Sequence, residues 1–376
     1  MTNKAINIEN ERLNSLLLKI TCTYWLLVKV IGWRMFTTNR IFPAAPVFEW
    51  MDQVPVMLHM VIFVLSLLLI GLIFFLPKNK LALAALLITE TCSCMLDQNR
   101  WQPWEYQCIF TVFIFLVNRN RQASIIPVLT FILASIYFYS GCNKLNEGFL
   151  QNIWVQLVMR SFFKVAVARQ SWLYYCGYLL ALFELACGAA LLFAKTKKTA
   201  AWLLILMHLF ILAWLGPSGL NYNPIIWPWN MAMMIYLYLV ILKGKGNVFA
   251  LKDILPGLNK LVLICWGVLP ALSVMEYWDA YLSSGIYSGK APYMIICVGN
   301  VEKAKDLKPF ISESNSKICE SGTTIRLSDW AAKETMVLPN PEPRVYKLIQ
   351  KKLEKKYAGV GLRCTILITG NNYSLK

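Results

Sequence analysis

Between residues 15 and 275 the chain is a succession of apolar runs, at 15–33, 56–76, 81–96, 106–117, 124–139, 172–193, 199–215, 225–242 and 258–275. A helix needs about 20 predominantly apolar residues to cross a bilayer. Away from water only helices and closed barrels satisfy their own backbone. The run at 56–76 is unambiguous, whereas those at 106–117 and 124–139 are short and fit a tilted, merged or re-entrant segment. Lys19 and Lys29 sit in the first run and are expected to snorkel to opposite interfaces. No small-residue cleavage site follows that run, so it reads as a retained helix and not a signal peptide. The expected fold is an all-α polytopic bundle of about nine spans over residues 1–275, followed by a small α+β domain at 276–376.

Charge supports this division. Charged residues make up 15% of the chain, against about 25% in ordinary soluble domains. The deficit lies before residue 276. Lys78 and Lys80, Arg119 and Arg121, Lys195, Lys197 and Lys198, and Lys243, Lys245 and Lys252 fall in alternate connections, and the loop at 216–224 carries no charge. The positive-inside rule makes the basic loops cytoplasmic. Nine spans then leave the N-terminus cytoplasmic and the C-terminal domain extracytoplasmic, in a plasma (bacterial inner) membrane. The net charge of +17 is mostly topogenic, because residues 276–376 hold 15 Lys+Arg against 10 Asp+Glu. No nucleic-acid motif is visible and no nucleic-acid partner is expected.

The 11 cysteines include no C-x-x-C pair, and Cys92 and Cys94 point to different helix faces, so no metal site is expected. In an oxidising compartment Cys297, Cys319 and Cys364 allow one disulfide and one free thiol; otherwise they are buried thiols.

Ionisable groups at membrane depth are costly and mark sites or paired structural knots. Glu90, Glu184 and His208 lie inside their runs. Asp97, Arg100 and Glu105 follow the third run, Lys144 follows the fifth, and Asn221, Asn223, Trp229 and Asn230 cluster where the eighth begins. The topology places Asp97, Arg100, Lys144 and the 221–230 segment at the outer end, where one polar pocket opening outward would hydrate or pair them. Asp97, Arg100 and Glu105 equally suit a structural ion-pair knot. Trp227 and Trp229 equally suit an interfacial aromatic belt, but Pro224 and Pro228 favour irregular backbone beside a cavity.

The segment Tyr137-Phe138-Tyr139-Ser140-Gly141-Cys142-Asn143-Lys144-Leu145-Asn146 resembles the Y-F-x-x-G-x-x-K-L-x segment of vitamin K-dependent gamma-carboxylase and its bacterial relatives, the HTTM (horizontally transferred transmembrane) proteins. The stretch holding His208, Leu209, Gly216, Pro228 and Trp229 resembles that family's membrane histidine and the span that follows it. The resemblance covers roughly residues 15–245, and DoxX-like membrane proteins share its looser G-x-x-K-L feature. It implies that Lys144 is a base toward a reduced quinone, a quinol, with Arg100 as the nearby charge that keeps it neutral, and that His208 is a second catalytic group. The carboxylase has an N-N-H segment upstream of its lysine. Here Trp101-Gln102-Pro103-Trp104-Glu105 holds that place without a histidine. The resemblance therefore implies a membrane fold with a quinone- or lipid-like ligand more than it implies glutamate carboxylation.

In the C-terminal domain, 292–298 and 364–369 read as short strands. Residues 344–357 read as an amphipathic helix with Val345, Leu348, Ile349 and Leu353 on one face. Its lysines suit a solvated face or an anionic membrane surface. The functional expectation is an outward-opening pocket linked to a quinone or lipid, with its enzymatic status open. The alternative is a non-enzymatic membrane subunit or scaffold whose exported domain docks a membrane or exported protein partner. A transporter comes third, since no internal repeat is evident.

Overall fold

The computed structural model describes residues 3–244, 249–313, 319, 322–367 and 374–375. All nine apolar runs are helical within it. Six helices are long and apolar enough to cross a membrane: Glu9–Ile31, Val56–Phe75, Gln122–Lys144, Trp172–Ala190, Lys197–Leu215 and Ile226–Lys243. The other three are shorter: Lys80–Leu96, Pro103–Val117 and Asn259–Met275. Helices of 15 to 17 residues reach about 23–26 Å at 1.5 Å per residue, against a hydrocarbon core of about 30 Å. Below, the nine are the first to ninth helices in chain order.

The run at 124–139 looked short because its ends are polar. Ser140, Asn143 and Lys144 continue the fifth helix and are buried inside the bundle, so polarity there does not mark a helix end. The fourth helix starts earlier than its apolar run, at Pro103, a residue suited to a first turn. The second helix leaves Leu65, Leu68, Leu72 and Phe75 exposed, and the eighth turns Met231 and Tyr238 outward. A surface this apolar suits lipid and not water.

Contacts define two ends of the bundle. At one, Lys78 pairs with Glu11 at 2.8 Å, Asn14 donates to Gln122 at 2.9 Å, and Asn118 donates to Asn259 at 2.7 Å. The start of the first helix, the second-to-third and fourth-to-fifth connections and the start of the ninth helix therefore meet there, with Lys78, Arg119 and Arg121. Lys245 lies outside the described residues.

The opposite end carries the C-terminal unit. Its antiparallel sheet has the order β2-β3-β1-β4-β5, with β1 at Tyr293–Val298, β2 at Ser312–Glu313, β3 at Thr323–Arg326, β4 at Leu362–Leu367 and β5 at Ser374–Leu375. Residues 368 and 369 of the expected second strand lie outside the described residues. Strand alternation sends Met294, Ile296 and Val298 into a core with Trp330 of the helix Leu327–Thr335 and with Val345, Ile349 and Leu353 of the helix Pro343–Lys356. The other face carries Ile295 and Cys297, and Cys297 is disulfide-bonded to Cys319. Cys364 is a buried free thiol.

This core is not built from residues 276–376 alone. Phe42 and Ala45, from the connection between the first and second helices, belong to it. Glu334 accepts the backbone N–H of Ile41 at 2.5 Å and of Phe42 at 2.8 Å, and Asn340 donates to Gln98 O at 3.1 Å. The lysines of Pro343–Lys356 also find protein partners: Lys351 pairs with Glu49, and Lys352 with Asp52 and the Ala44 carbonyl.

Candidate functional site

The fifth and sixth helices touch backbone to backbone. A Cβ on Gly141 would lie 2.5 Å from Leu185 N, and one on Gly188 would lie 2.4 Å from Phe138 N. This approach brings Lys144 on the fifth helix against Glu184 on the sixth. Lys144 Nζ donates to Glu184 Oε2 at 2.5 Å and to Ser140 Oγ at 2.6 Å. Two helical turns earlier on the same face, Tyr137 meets His208 of the seventh helix, Lys197–Leu215, at 2.7 Å. His208 Nδ1 lies 2.7 Å from Asn230 Oδ1 on the eighth helix, while Asn230 Nδ2 donates to Ile226 O. Because Asn230 Oδ1 only accepts, Nδ1 of His208 carries the hydrogen and Nε2 accepts from the Tyr137 hydroxyl. Trp229 Nε1 donates to Gln107 Oε1 at 2.7 Å, which fixes the indole beside the histidine.

These groups line one cavity of about 70 Å³, with Ile136, Met207, Ile211 and Met233 as apolar wall and Ile286 and Tyr287 closing it on the side of the C-terminal unit. An ion pair and a Tyr–His–Asn chain, drawn from four helices, thus share one enclosed space. The arrangement can hold an oxygen-bearing group by hydrogen bonds and can move a proton between Lys144 and Glu184. Asn223 adjoins it by donating to the Tyr287 hydroxyl at 2.9 Å. Asn223 and Asn221 both adopt left-handed backbone, with φ of 53° and 47°, which asparagine tolerates.

Glu90, Asp97, Arg100 and Glu105 form a separate constellation. Lys29 lies 2.8 Å from Glu90 and 3.5 Å from Glu105, with all three side chains fully buried. Ser66 bonds the other Glu90 oxygen, Trp25 donates to Glu105 at 2.9 Å, and the Lys29 ammonium sits 4.0 Å over the Phe36 ring. Arg100 donates to the carbonyls of Met35, Phe36 and Ser93 and meets His59 Nδ1 at 2.9 Å. It therefore satisfies free carbonyls at the end of the short helix Trp33–Thr37. Arg40 pairs with Asp97, which also accepts the Ala45 and Asn99 amides. Burial raises the Asp97 carboxyl, but the charges of Arg40 and Arg100 and those two amides outweigh it and hold it below its ordinary range. Three cations and three carboxylates balance here, which is what a buried structural knot requires.

The expected single cluster is therefore two. Lys144, Glu184, His208, Trp229 and Asn230 come together, Asn223 borders them, and Asn221 is exposed. Arg100 binds other groups and shares no partner with Lys144, so it is not the charge beside that lysine; Glu184 is. Glu105 pairs with Lys29, not Lys144. Lys29 does not snorkel, since it is fully buried between two carboxylates. Tyr137 was missed, although its position seven residues before Lys144 places both on one helix face. No family model matches the chain, and no curated protein and no solved structure is significantly similar to it.

Proposed function

We propose that the chain is a plasma-membrane (bacterial inner-membrane) protein with nine crossings, a cytoplasmic N-terminus and an extracytoplasmic C-terminal unit. Its pocket on the outer side receives a quinone-like or lipid-linked ligand. The alternating placement of consecutive connections at opposite ends of the bundle supports nine crossings, including the three short helices. The basic residues at the end away from the sheet, and the Cys297–Cys319 bond within it, support the orientation.

The observation that carries the ligand reading is the convergence of Tyr137, Lys144, Glu184, His208 and Asn230 on one cavity with apolar walls. A quinone offers carbonyl oxygens to such donors and a flat apolar ring to such walls. Bound quinol would lose a proton to Lys144 only after Lys144 had passed its own to Glu184, the acceptor in contact with it. The likeness of residues 137–146 to the carboxylase and HTTM segment agrees with a quinone ligand. Titrating short-chain ubiquinone into the protein in phosphatidylcholine nanodiscs tests this through tryptophan fluorescence. Saturable quenching, weakened at least about tenfold by Tyr137→Phe, supports the site; quenching that is unsaturable or indifferent to Tyr137 refutes it.

One observation favours a scaffold instead: the polar groups of the pocket already satisfy one another, as ion pair and as Tyr–His–Asn chain. On that reading the pocket holds helices together and the exported unit docks a partner. Absence of quinone binding, with loss of fold in Lys144 variants, would select it.

A further inference from the structure

A larger cavity, about 600 Å³, separates the C-terminal unit from the helix Phe149–Phe162, which lies in the connection between the fifth and sixth helices. Its volume lies within the range of small-molecule sites, about 300–1,000 Å³. The chemistry of its wall is one-sided. No Asp or Glu lines it, and the one charged group there is Arg326, at the exposed end of β3. The Arg326 guanidinium has no hydrogen bond or ion pair among the described residues. Of the flanking carboxylates, Asp279 and Glu342 are taken by Arg344, and Asp329 accepts from the Ser328 hydroxyl.

Tyrosines supply most of the remaining polar wall. Tyr281 and Tyr346 are only 6% and 3% exposed, yet their hydroxyls bond to nothing among the described residues and border the cavity. A buried phenol ordinarily finds a partner. Burial and neighbouring phenols push Tyr281 up, and burial and the Glu342 charge push Tyr346 up, so both remain hydrogen-bond donors. Across from them, Ile153 and Leu157 present the apolar face of the helix Phe149–Phe162. That helix lies where the bundle gives way to the C-terminal unit.

We propose that this cavity binds an amphiphile with an anionic oxygen headgroup, a carboxylate or a phosphate ester. Its head meets Arg326 and the tyrosine hydroxyls, and its chain lies along Ile153 and Leu157.

Native mass spectrometry of the full-length protein in detergent tests it with four probes: oleate, phosphatidylglycerol, phosphatidylcholine and inorganic phosphate. One equivalent of oleate or phosphatidylglycerol should be retained, and which one is retained identifies the head. Phosphatidylcholine and inorganic phosphate should bind at least about tenfold more weakly, a difference of about 1.4 kcal/mol. Arg326→Gln, at an exposed position, and Ser328→Trp, which fills the cavity, should each weaken retention about tenfold without changing the melting temperature. Equal retention of phosphatidylcholine, unaffected by either change, would mean annular lipid and overturn the proposal. Equal binding of inorganic phosphate would overturn the chain subsite, and retention of none of the probes would overturn the whole.

Discussion

Replacing Lys144 with Met keeps the length of the stem and removes the cation, leaving Glu184 only 9% exposed and without the partner that now lies 2.5 Å away. Stranding one member of a buried pair costs about 3–5 kcal/mol. At about 2 °C per kcal/mol for a chain of this size, the apparent melting temperature in detergent should fall by about 6–10 °C. Adding Glu184→Gln removes the stranded charge and keeps the shape, so the double variant should melt within about 3 °C of the wild type. Fluorescence-detected size-exclusion chromatography after heating gives both numbers. A single variant within about 2 °C of the wild type would refute the argument, because it would show that Glu184 finds water or another donor. The double variant also separates the two functional readings. A pocket that handles a ligand stays inactive after stability returns, whereas a merely structural pair regains everything.

Alkaline phosphatase fused after Lys376 should be active and a fluorescent protein there dark; a bright fluorescent fusion would remove one of the nine crossings. Cys297→Ser should abolish the mobility shift between reduced and oxidised protein. With the bonded cysteines 22 positions apart in sequence, it should cost the C-terminal unit about 3 kcal/mol. The Asp97 carboxyl is held below its ordinary value, so its stabilisation is complete above about pH 4 and fades as pH falls through the lowered native value. Asp97→Asn should therefore destabilise the protein at pH 7 and matter progressively less in acid, as followed by thermal melts between pH 7 and pH 3. Gly141→Val should force the fifth and sixth helices apart, costing about 1–3 kcal/mol, and should lower the melting temperature even with Lys144 and Glu184 intact.

Helix positions were legible because hydropathy at span length is a one-dimensional signal. Helix ends were less so where polar residues remain inside the bundle, as at Ser140 and Lys144. Lys144 and His208 were paired by the family resemblance, and both line one cavity. Depth does not fix position across the bundle, and so Arg100, at the same end, went to the wrong pocket. Lys29 was misread for a related reason: snorkelling is the default for a lysine near a helix end, and only contacts with the third and fourth helices show the two carboxylates that hold it. The Lys144–Glu184 pairing depends on Gly141 and Gly188 facing each other, which no local pattern announces. Likewise Phe42 reads as a loop residue until the sheet that covers it is in place.

That last dependence has a consequence for the order of synthesis. Phe42 and Ala45 emerge with the connection between the first and second helices, but the strand β1 of the same core begins at Tyr293. At about 5–20 residues per second, that leaves the early loop on the order of 10–50 s without its counterpart, while most of the bundle is still being threaded. The C-terminal unit is thus a late closure whose foundation is laid first. A ribosome stalled after the ninth helix should present an inserted bundle with an open, apolar landing site at the end that the sheet later covers.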